Sequence, residues 1–318
     1  MSHSPAPETQ VNTDPASLQF GQQITALADG GWVVTWMSAD QDGSGEGIYQ
    51  QAYDADGNPI AAGETHVNTH TSGDQFNPKI TALADGGWVV AWSSVGQDGD
   101  GYGIYQQAYD ANGAAIGIET QVNTVTVGIQ YAQQVTALAD GGWVVSWVSV
   151  GQDGSNEGVY QQAYDAQGNA FAVGETQVNF YAVGHQNSQR ITALADGGWV
   201  VTWTSGAQDG DSRGVFQRVY DADGTARGDE IQVNTYTAGD QYDPQITALT
   251  DGAWVVTWTS WGQDGDGDGV YQQRFDALGQ IYGTNHAPTA SDATLTALED
   301  TAYTFSTSDF DFSDGSDG

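Results

Sequence analysis

Acidic side chains gather in five short glycine-containing segments that begin Gln-Asp-Gly. Within these segments most carboxylates stand two or four positions apart, and a flexible loop can bring such groups onto one cation. Ca²⁺ takes about six to eight oxygen ligands in irregular geometry, so we expect bound calcium. The predicted ligands are Asp42, Glu46, Asp98, Asp100, Asp153, Glu157, Asp209, Asp211, Asp264, Asp266 and Asp268. The alternative is that Asp-Gly only forms the turn, which the uneven second carboxylate favours.

A second candidate site combines glutamines with aromatic residues. Its members are Gln19, Phe20, Gln75, Phe76, Gln130, Tyr131, Gln186, Gln241 and Tyr242, with Asn187 in place of the fourth aromatic residue. Amides and aromatic rings suit hydrogen bonding to sugar hydroxyls and stacking on sugar rings, so these residues are predicted to bind a ligand. Alternatively, each glutamine only ties one structural unit to the next.

Both candidate sites belong to a sequence repeat. The segment W-V-V-x-W starts at Trp32, Trp88, Trp143, Trp199 and Trp254, at intervals of 55 or 56 residues. It follows [IV]-T-A-L-[AT]-D-G-[GA] and precedes Q-D-G, G-[IV]-[YF]-Q-[QR], [YF]-D-A-x-G and, in four copies, E-x-x-V-N. None of these segments has helical periodicity, so the chain is predicted to be five copies of one all-β unit.

Each copy is predicted to contain four strands. In the first copy these are 23–28, 32–37, 48–53 and a short strand at 64–68, separated by Asp-Gly turns. In the second strand Trp32, Val34 and Trp36 alternate with Val33 and Thr35, so neither face is polar and both are expected to be covered by neighbouring sheets. Four-stranded units covered on both faces are typical of β-propeller blades.

The segment E-x-x-V-N indicates how the five units are joined. It occurs at 8–12, before the first copy, and no equivalent follows the fifth copy. If residues 8–12 supply the missing fourth strand of the last unit, the row of sheets becomes a ring without an unpaired edge. We therefore predict an all-β, five-bladed β-propeller of four-stranded blades, closed by its N-terminal strand.

The composition limits the partners of this domain. A formal charge of −35 argues against nucleic acid and anionic membranes as partners and favours cations. The chain has no cysteine, so neither disulfides nor thiolate metal sites contribute, and no apolar run reaches membrane-spanning length. The five histidines occupy unrelated positions, which argues against a histidine metal site.

The repeat resembles known families. The motif D-G-G-W-V-V-T-W, at 195–203 with its leading alanine, resembles repeats of very large, secreted, calcium-binding bacterial surface proteins of the RTX-adhesin type. The propeller is predicted to occupy 1–284. Residues 285–318, with Ala287-Pro288-Thr289 and Glu299-Asp300-Thr301, resemble the start of a bacterial cadherin-like domain, of which only the first third is present.

The resemblance implies an extracellular or cell-surface location and a role in adhesion. Catalysis needs an acid and a base in different environments, whereas near-identical copies offer five equivalent sets of carboxylates. We therefore predict a non-catalytic adhesion module that binds calcium and takes glycans as candidate ligands. The alternatives are a structural spacer between adhesin domains and a glycoside hydrolase, because five-bladed propellers include glycosidases.

Overall fold

The computed structural model describes residues 8–61 and 63–283, together with the backbone of 289–290 and 312–313. Its strands are Gln19–Ala26 (β1), Trp32–Ala39 (β2), Glu46–Tyr53 (β3), Thr65–His66 (β4), Gln75–Ala82 (β5), Trp88–Val95 (β6), Tyr102–Tyr109 (β7), Ala115–Gln121 (β8), Gln130–Ala137 (β9), Trp143–Val150 (β10), Glu157–Tyr164 (β11), Thr176–Gln177 (β12), Gln186–Ala193 (β13), Trp199–Gly206 (β14), Arg213–Tyr220 (β15), Ile231–Gln232 (β16), Gln241–Ala248 (β17), Trp254–Trp261 (β18), Asp268–Phe275 (β19), Thr289–Ala290 (β20) and Phe312–Ser313 (β21).

The first nineteen strands form five antiparallel sheets in chain order. Sheets 1 to 4 contain four strands each, and sheet 5 contains β17, β18 and β19. Consecutive sheets pack on one another, with the first strand of each sheet against the first strand of the next. This arrangement is the predicted five-bladed β-propeller. No helix in the described part of the chain is long and apolar enough to cross a membrane.

The predicted second domain lies largely outside the described residues. Within 285–318 the structure gives only the antiparallel pairing of β20 with β21. The cadherin-like resemblance therefore stays a prediction.

Four apolar clusters hold the sheets together, one between each pair of consecutive sheets. The first tryptophan of a sheet also bonds across the interface to a buried glutamine of the preceding sheet. Trp88 Nε1 donates to Gln50 Oε1 at 2.8 Å, and Trp254 Nε1 donates to Gln217 Oε1 at 2.9 Å. Each indole therefore fills the core and fixes the position of one sheet against the next.

Two tryptophans that differ in burial provide a test of this packing. Trp203 is fully buried, whereas Trp261 is 56% exposed at the end of β18. We expect Trp203→Ala to lower the free energy of unfolding by about 3–5 kcal/mol, because it removes a buried indole and leaves a cavity. The same change at Trp261 should cost about 0.5 kcal/mol or less. Urea unfolding of both variants measures the difference, and equal losses would contradict the packing.

The two ends of the row of sheets remain uncovered. Val270 in β19 is 82% exposed, whereas its equivalents Ile48, Ile104, Val159 and Val215 are each 0% exposed. Residues 8–12 form no strand, and β19 carries no fourth strand beside it in the described structure. Closure of the ring by 8–12 therefore stays a prediction, although the other four sheets show what the closing contacts would be.

Candidate functional site

Both candidate sites predicted from the sequence lie at the same end of the sheets. Parallel bridges join the first residue of a third strand to the residue before the next sheet's first strand. These bridges are Tyr102 to Ile129, Glu157 to His185 and Arg213 to Asp240. The Gln-Asp-Gly loops therefore adjoin the connections between sheets, and we call this end of the molecule the rim.

The first carboxylate of each Gln-Asp-Gly loop shapes its own turn. Asp153 Oδ1 accepts a hydrogen bond from the Ser155 amide at 3.0 Å, and Asp209 Oδ1 accepts one from the Asp211 amide at 3.3 Å. The same bond forms at Asp42, Asp98 and Asp264. The turn-forming interpretation of these aspartates thus has direct structural support.

The second carboxylate of two loops ties neighbouring sheets together. Asp100 Oδ2 accepts from the Gly128 amide at 3.0 Å, and Asp211 Oδ2 accepts from the Gly239 amide at 2.8 Å. The predicted ligands Glu46, Glu157 and Asp268 are the first residues of β3, β11 and β19 rather than loop residues. The residues that the structure describes contain no group of three or more His, Cys, Asp or Glu side chains placed to hold a metal.

Calcium binding stays a prediction, and the fifth loop tests it best. Asp264, Asp266 and Asp268 all lie there, and the Asp266 carboxylate makes none of the described inter-sheet bonds. Calcium at about 100 times its Kd should stabilise the folded chain by about 2.7 kcal/mol and raise its Tm relative to EDTA. Asp266→Asn should abolish this rise, whereas Asp56→Asn, in an exposed turn, should keep it. Superimposable melting curves in calcium and EDTA would exclude the site.

The predicted ligand-binding glutamines are structural. Gln130 is fully buried, its Oε1 accepts from Asn123 Nδ2 at 3.1 Å, and its Nε2 donates to the Val127 carbonyl at 3.2 Å. Asn123 Oδ1 in turn accepts from the Ile104 amide at 2.7 Å. Gln19, Gln75, Gln186 and Gln241 make the equivalent contact with Asn12, Asn68, Asn179 and Asn234. Amides engaged in this way are not free to bind a sugar, so the interpretation as inter-sheet ties is the better one.

The residues after these glutamines do reach the rim. Tyr131 donates its hydroxyl hydrogen to Glu157, and Tyr242 donates to Asp268 Oδ1 at 3.0 Å. The Phe76 ring meets the Tyr102 ring edge to face, with centroids 5.3 Å apart. We call the second residue of a first strand and the first residue of the same sheet's third strand a rim pair. The five rim pairs are Phe20 and Glu46, Phe76 and Tyr102, Tyr131 and Glu157, Asn187 and Arg213, and Tyr242 and Asp268.

Glu157 is the most completely hydrogen-bonded carboxylate of the rim pairs. Besides the Tyr131 hydroxyl, Asn187 Nδ2 donates to its Oε2 at 2.6 Å, and His185 Nδ1 lies 3.0 Å from the same oxygen. Burial by itself raises the pKa of Glu157, but these three hydrogen bonds outweigh burial and hold that pKa below its ordinary value. Glu157 is therefore kept as a carboxylate.

Glu46 occupies the same position in sheet 1, and its pKa is displaced in the opposite direction. Burial, and then the neighbouring Asp74 carboxylate, raise the pKa of Glu46. The positions equivalent to Tyr131 and Asn187 are here Phe20 and Phe76, which have no hydrogen to donate. The two glutamates at equivalent positions thus have pKa values displaced in opposite directions.

A cleft of about 820 Å³ lies beside Glu157 on the rim of sheets 3, 4 and 5. Its walls include His185, Asn187, Arg213 and Asp240. Arg213 Nε lies 3.9 Å from Asp240 Oδ1, and the guanidinium lies 6.0 Å from the centre of the Tyr242 ring. Charged, polar and aromatic groups on an open cleft of this size suit a polar ligand such as a sugar.

Solved structures similar to this chain come from several organisms. A protein of unknown function from Dyadobacter fermentans shares 10% identity at a TM-score of 0.51, over 85% of this chain and 83% of that one. An α-L-arabinofuranosidase from Fusarium graminearum shares 14% identity at a TM-score of 0.48, over 83% and 82%. An endo-arabinase from Bacteroides thetaiotaomicron shares 11% identity at a TM-score of 0.43, over 75% and 88%. No protein-family model and no curated protein matches the chain.

The comparisons correct the functional prediction. Several of the similar solved structures are glycoside hydrolases, which contradicts the predictions of a non-catalytic adhesion module or spacer and of no enzymatic activity, and these predictions are not carried further. The physical error was to treat the five repeats as equivalent, whereas Glu46 and Glu157 have opposite pKa shifts. Glycans remain the expected partners. The RTX-adhesin resemblance and the extracellular location stay predictions.

Proposed function

We propose that this chain is a glycoside hydrolase that binds its glycan along the rim. The observation that carries the proposal is Glu157, whose carboxylate is held by three hydrogen bonds on the wall of a cleft that also exposes Asp211 and Asp240. Glycoside hydrolysis requires two carboxyl groups about 5–10 Å apart on either side of the scissile bond, one of which donates a proton while the other is ionised.

The acids that line one cleft take the two roles. The general acid that protonates the leaving glycosidic oxygen is Asp211 or Asp240, the other two acids on the wall of the cleft beside Glu157. Glu157, held ionised by Tyr131, Asn187 and His185, either attacks the anomeric carbon or activates a water molecule for that attack. The hydrogen bonds also fix the orientation of its carboxylate.

The remaining rim residues suit sugar binding. Phe20, which is 40% exposed, and Trp261 offer aromatic surface on which a pyranose or furanose ring can stack. Arg213 and Asp240, which line the cleft beside Glu157, offer a hydrogen-bond donor and an acceptor to sugar hydroxyls.

Release of reducing sugar from a panel of arabinan, xylan and galactan tests the proposal. We expect the wild-type chain to hydrolyse at least one of these glycans, and Glu157→Gln to lose most of the activity. Glu46→Gln changes the equivalent residue of sheet 1, outside the cleft, and Asp56→Asn removes a charge from an exposed turn away from the rim, so both should retain activity. Absence of hydrolysis across neutral and acidic glycans, or full activity in Glu157→Gln, would refute the proposal.

A further inference from the structure

Two of the six cationic side chains of this chain, Lys79 and Arg190, lie on the first strands of sheets 2 and 4. Lys79 in β5 and Arg190 in β13 occupy the same position of their strands, and β9 lies between those strands and contacts both. Arg190 and Lys79 repel each other electrostatically, although sheet 3 lies between the two sheets that carry them. The two cations therefore face a common space at the inner edge of sheets 2, 3 and 4.

These two cations lack the counter-charges that most of the others have. Arg213, Arg227 and Arg274 each lie beside an aspartate, and Arg218 stacks on Phe180 at the outer side of its sheet. Within the described residues neither Lys79 nor Arg190 forms an ion pair, even though the chain carries 41 acidic residues.

The arrangement is costly without a bound anion. Lys79 is half-buried, and burial together with the Arg190 guanidinium lowers the pKa of its ammonium group. A like-charged pair in partly desolvated surroundings destabilises the fold unless a negative group lies between the two charges.

Hydrogen bonds to neighbouring groups leave some donors of Arg190 and Lys79 free to bind a ligand. Arg190 Nε donates to Gln245 Oε1 at 3.2 Å and its Nη1 donates to the Gln189 carbonyl at 2.9 Å, which holds the guanidinium plane in place. Arg190 Nη2 and Lys79 Nζ have no protein acceptor in the part of the chain described by the structure. Gln134, at the same position of the intervening strand β9, adds an amide to this group.

We propose that Lys79 and Arg190 bind an oxyanion, a sulfate, phosphate or carboxylate group, at the inner edge of sheets 2 to 4. A guanidinium and an ammonium group together offer the charge-assisted hydrogen bonds that such groups accept. The site is distinct from the rim pairs and does not depend on the proposed hydrolase activity.

Isothermal titration with millimolar sodium sulfate tests the site, with sodium chloride of equal ionic strength as the reference. We expect saturable sulfate binding by the wild-type chain and a roughly tenfold or greater weakening in both Lys79→Gln and Arg190→Gln. Arg274→Gln removes an equal charge from an outer ion pair and should bind sulfate as the wild type does. Millimolar concentrations avoid the general stabilisation that concentrated sulfate gives to most proteins.

A second measurement separates loss of the site from loss of the fold. Because the substitutions relieve a charge repulsion, Lys79→Gln and Arg190→Gln should melt in chloride at or above the wild-type temperature. Displacement of sulfate by glucuronate, but not by glucose, would identify the carboxylate of an acidic sugar as one source of the anion, and displacement by phosphate alone would identify free oxyanions. No saturable binding of sulfate, or equal weakening in Arg274→Gln, would overturn the proposal.

Discussion

Replacing Glu157 by glutamine should lower kcat/KM for glycoside hydrolysis by roughly 10²–10⁴-fold, because the amide can neither attack the anomeric carbon nor accept a proton from water. Glutamine has nearly the shape of glutamate and still accepts a hydrogen bond from Tyr131. We therefore expect a melting temperature close to that of the wild type, with the loss confined to catalysis. Tyr131→Phe should cause a smaller loss, since it removes one of the three donors that keep Glu157 ionised.

The acid limb of the pH profile tests the role of Glu157. The pKa of Glu157 is lowered, so activity should fall only when the pH drops far enough to protonate it. An acid limb with its midpoint at or above the ordinary pKa of a glutamate would contradict this role.

The leaving group should identify the general acid. In whichever of Asp211→Asn and Asp240→Asn removes that acid, the loss of activity should be smaller for an aryl glycoside with a good leaving group, because such a group departs without protonation. Glu157→Gln should show no such rescue. If neither aspartate variant is rescued in this way, the assignment of the general acid to this cleft is wrong.

Closure of the propeller should be detectable as an all-or-none disulfide bond. In sheet 1 Tyr49 pairs with His66, and the equivalent pair in a closed sheet 5 is Tyr271 with Gln10. Directly opposed residues of antiparallel strands lie about 4.5–5.5 Å apart, which a disulfide can span. Because the chain has no cysteine, the variant Gln10→Cys/Tyr271→Cys can form only this bond within one molecule.

The matched control places the second cysteine in another sheet. Phe216 is the equivalent of Tyr271 in sheet 4, and its partner position is already filled by Gln232. Gln10→Cys/Phe216→Cys should therefore stay reduced under mild oxidation, while Gln10→Cys/Tyr271→Cys becomes fully crosslinked on a non-reducing gel. Crosslinked dimers in place of crosslinked monomers would mean that the segment 8–12 completes a second copy of the chain.

Contacts in the other sheets explain why closure should be strongly favoured. Asn12 Nδ2 already donates to Gln19 Oε1 at 3.2 Å, as Asn123 does to Gln130. In a closed ring Asn12 Oδ1 would accept a hydrogen bond from the Val270 amide, as Asn123 Oδ1 accepts one from the Ile104 amide. Burying Val270 contributes about 1.5–3 kcal/mol, and the added strand hydrogen bonds contribute further.

Much of the fold could be predicted from the sequence, because the turn and strand motifs recur in all five copies. The Asp-Gly turns and the W-V-V-x-W segments located all five sheets, and the second strand was predicted to start at Trp32, as it does. The first strand begins four residues before the predicted start, at Gln19 instead of Gln23. A bulge between Phe20 and Gln23, with a positive φ of 66° at Gly21, interrupts the alternation on which the prediction rested.

The candidate site could be predicted only in part. The features that all five copies share pointed to the glutamines, which are structural, and placed Glu46 and Glu157 among the predicted calcium ligands. The informative feature is instead a difference between the copies, because the residue before G-[IV]-[YF]-Q varies. Which partners surround it depends on the next sheet as well, because Asn187 of sheet 4 reaches Glu157 of sheet 3. No pattern within one repeat reveals that contact.

The rim pairs have a consequence for how such a domain can acquire new chemistry. They present ten side chains at one end of a scaffold whose internal contacts are made by other residues, the tryptophans, the Asn and Gln ties and the valines. A substitution in one rim pair can therefore change the surface of its own sheet and of the neighbour that it contacts, as Asn187 contacts Glu157, while the apolar clusters keep their shape. New specificities can then arise by single steps without an intermediate that fails to fold.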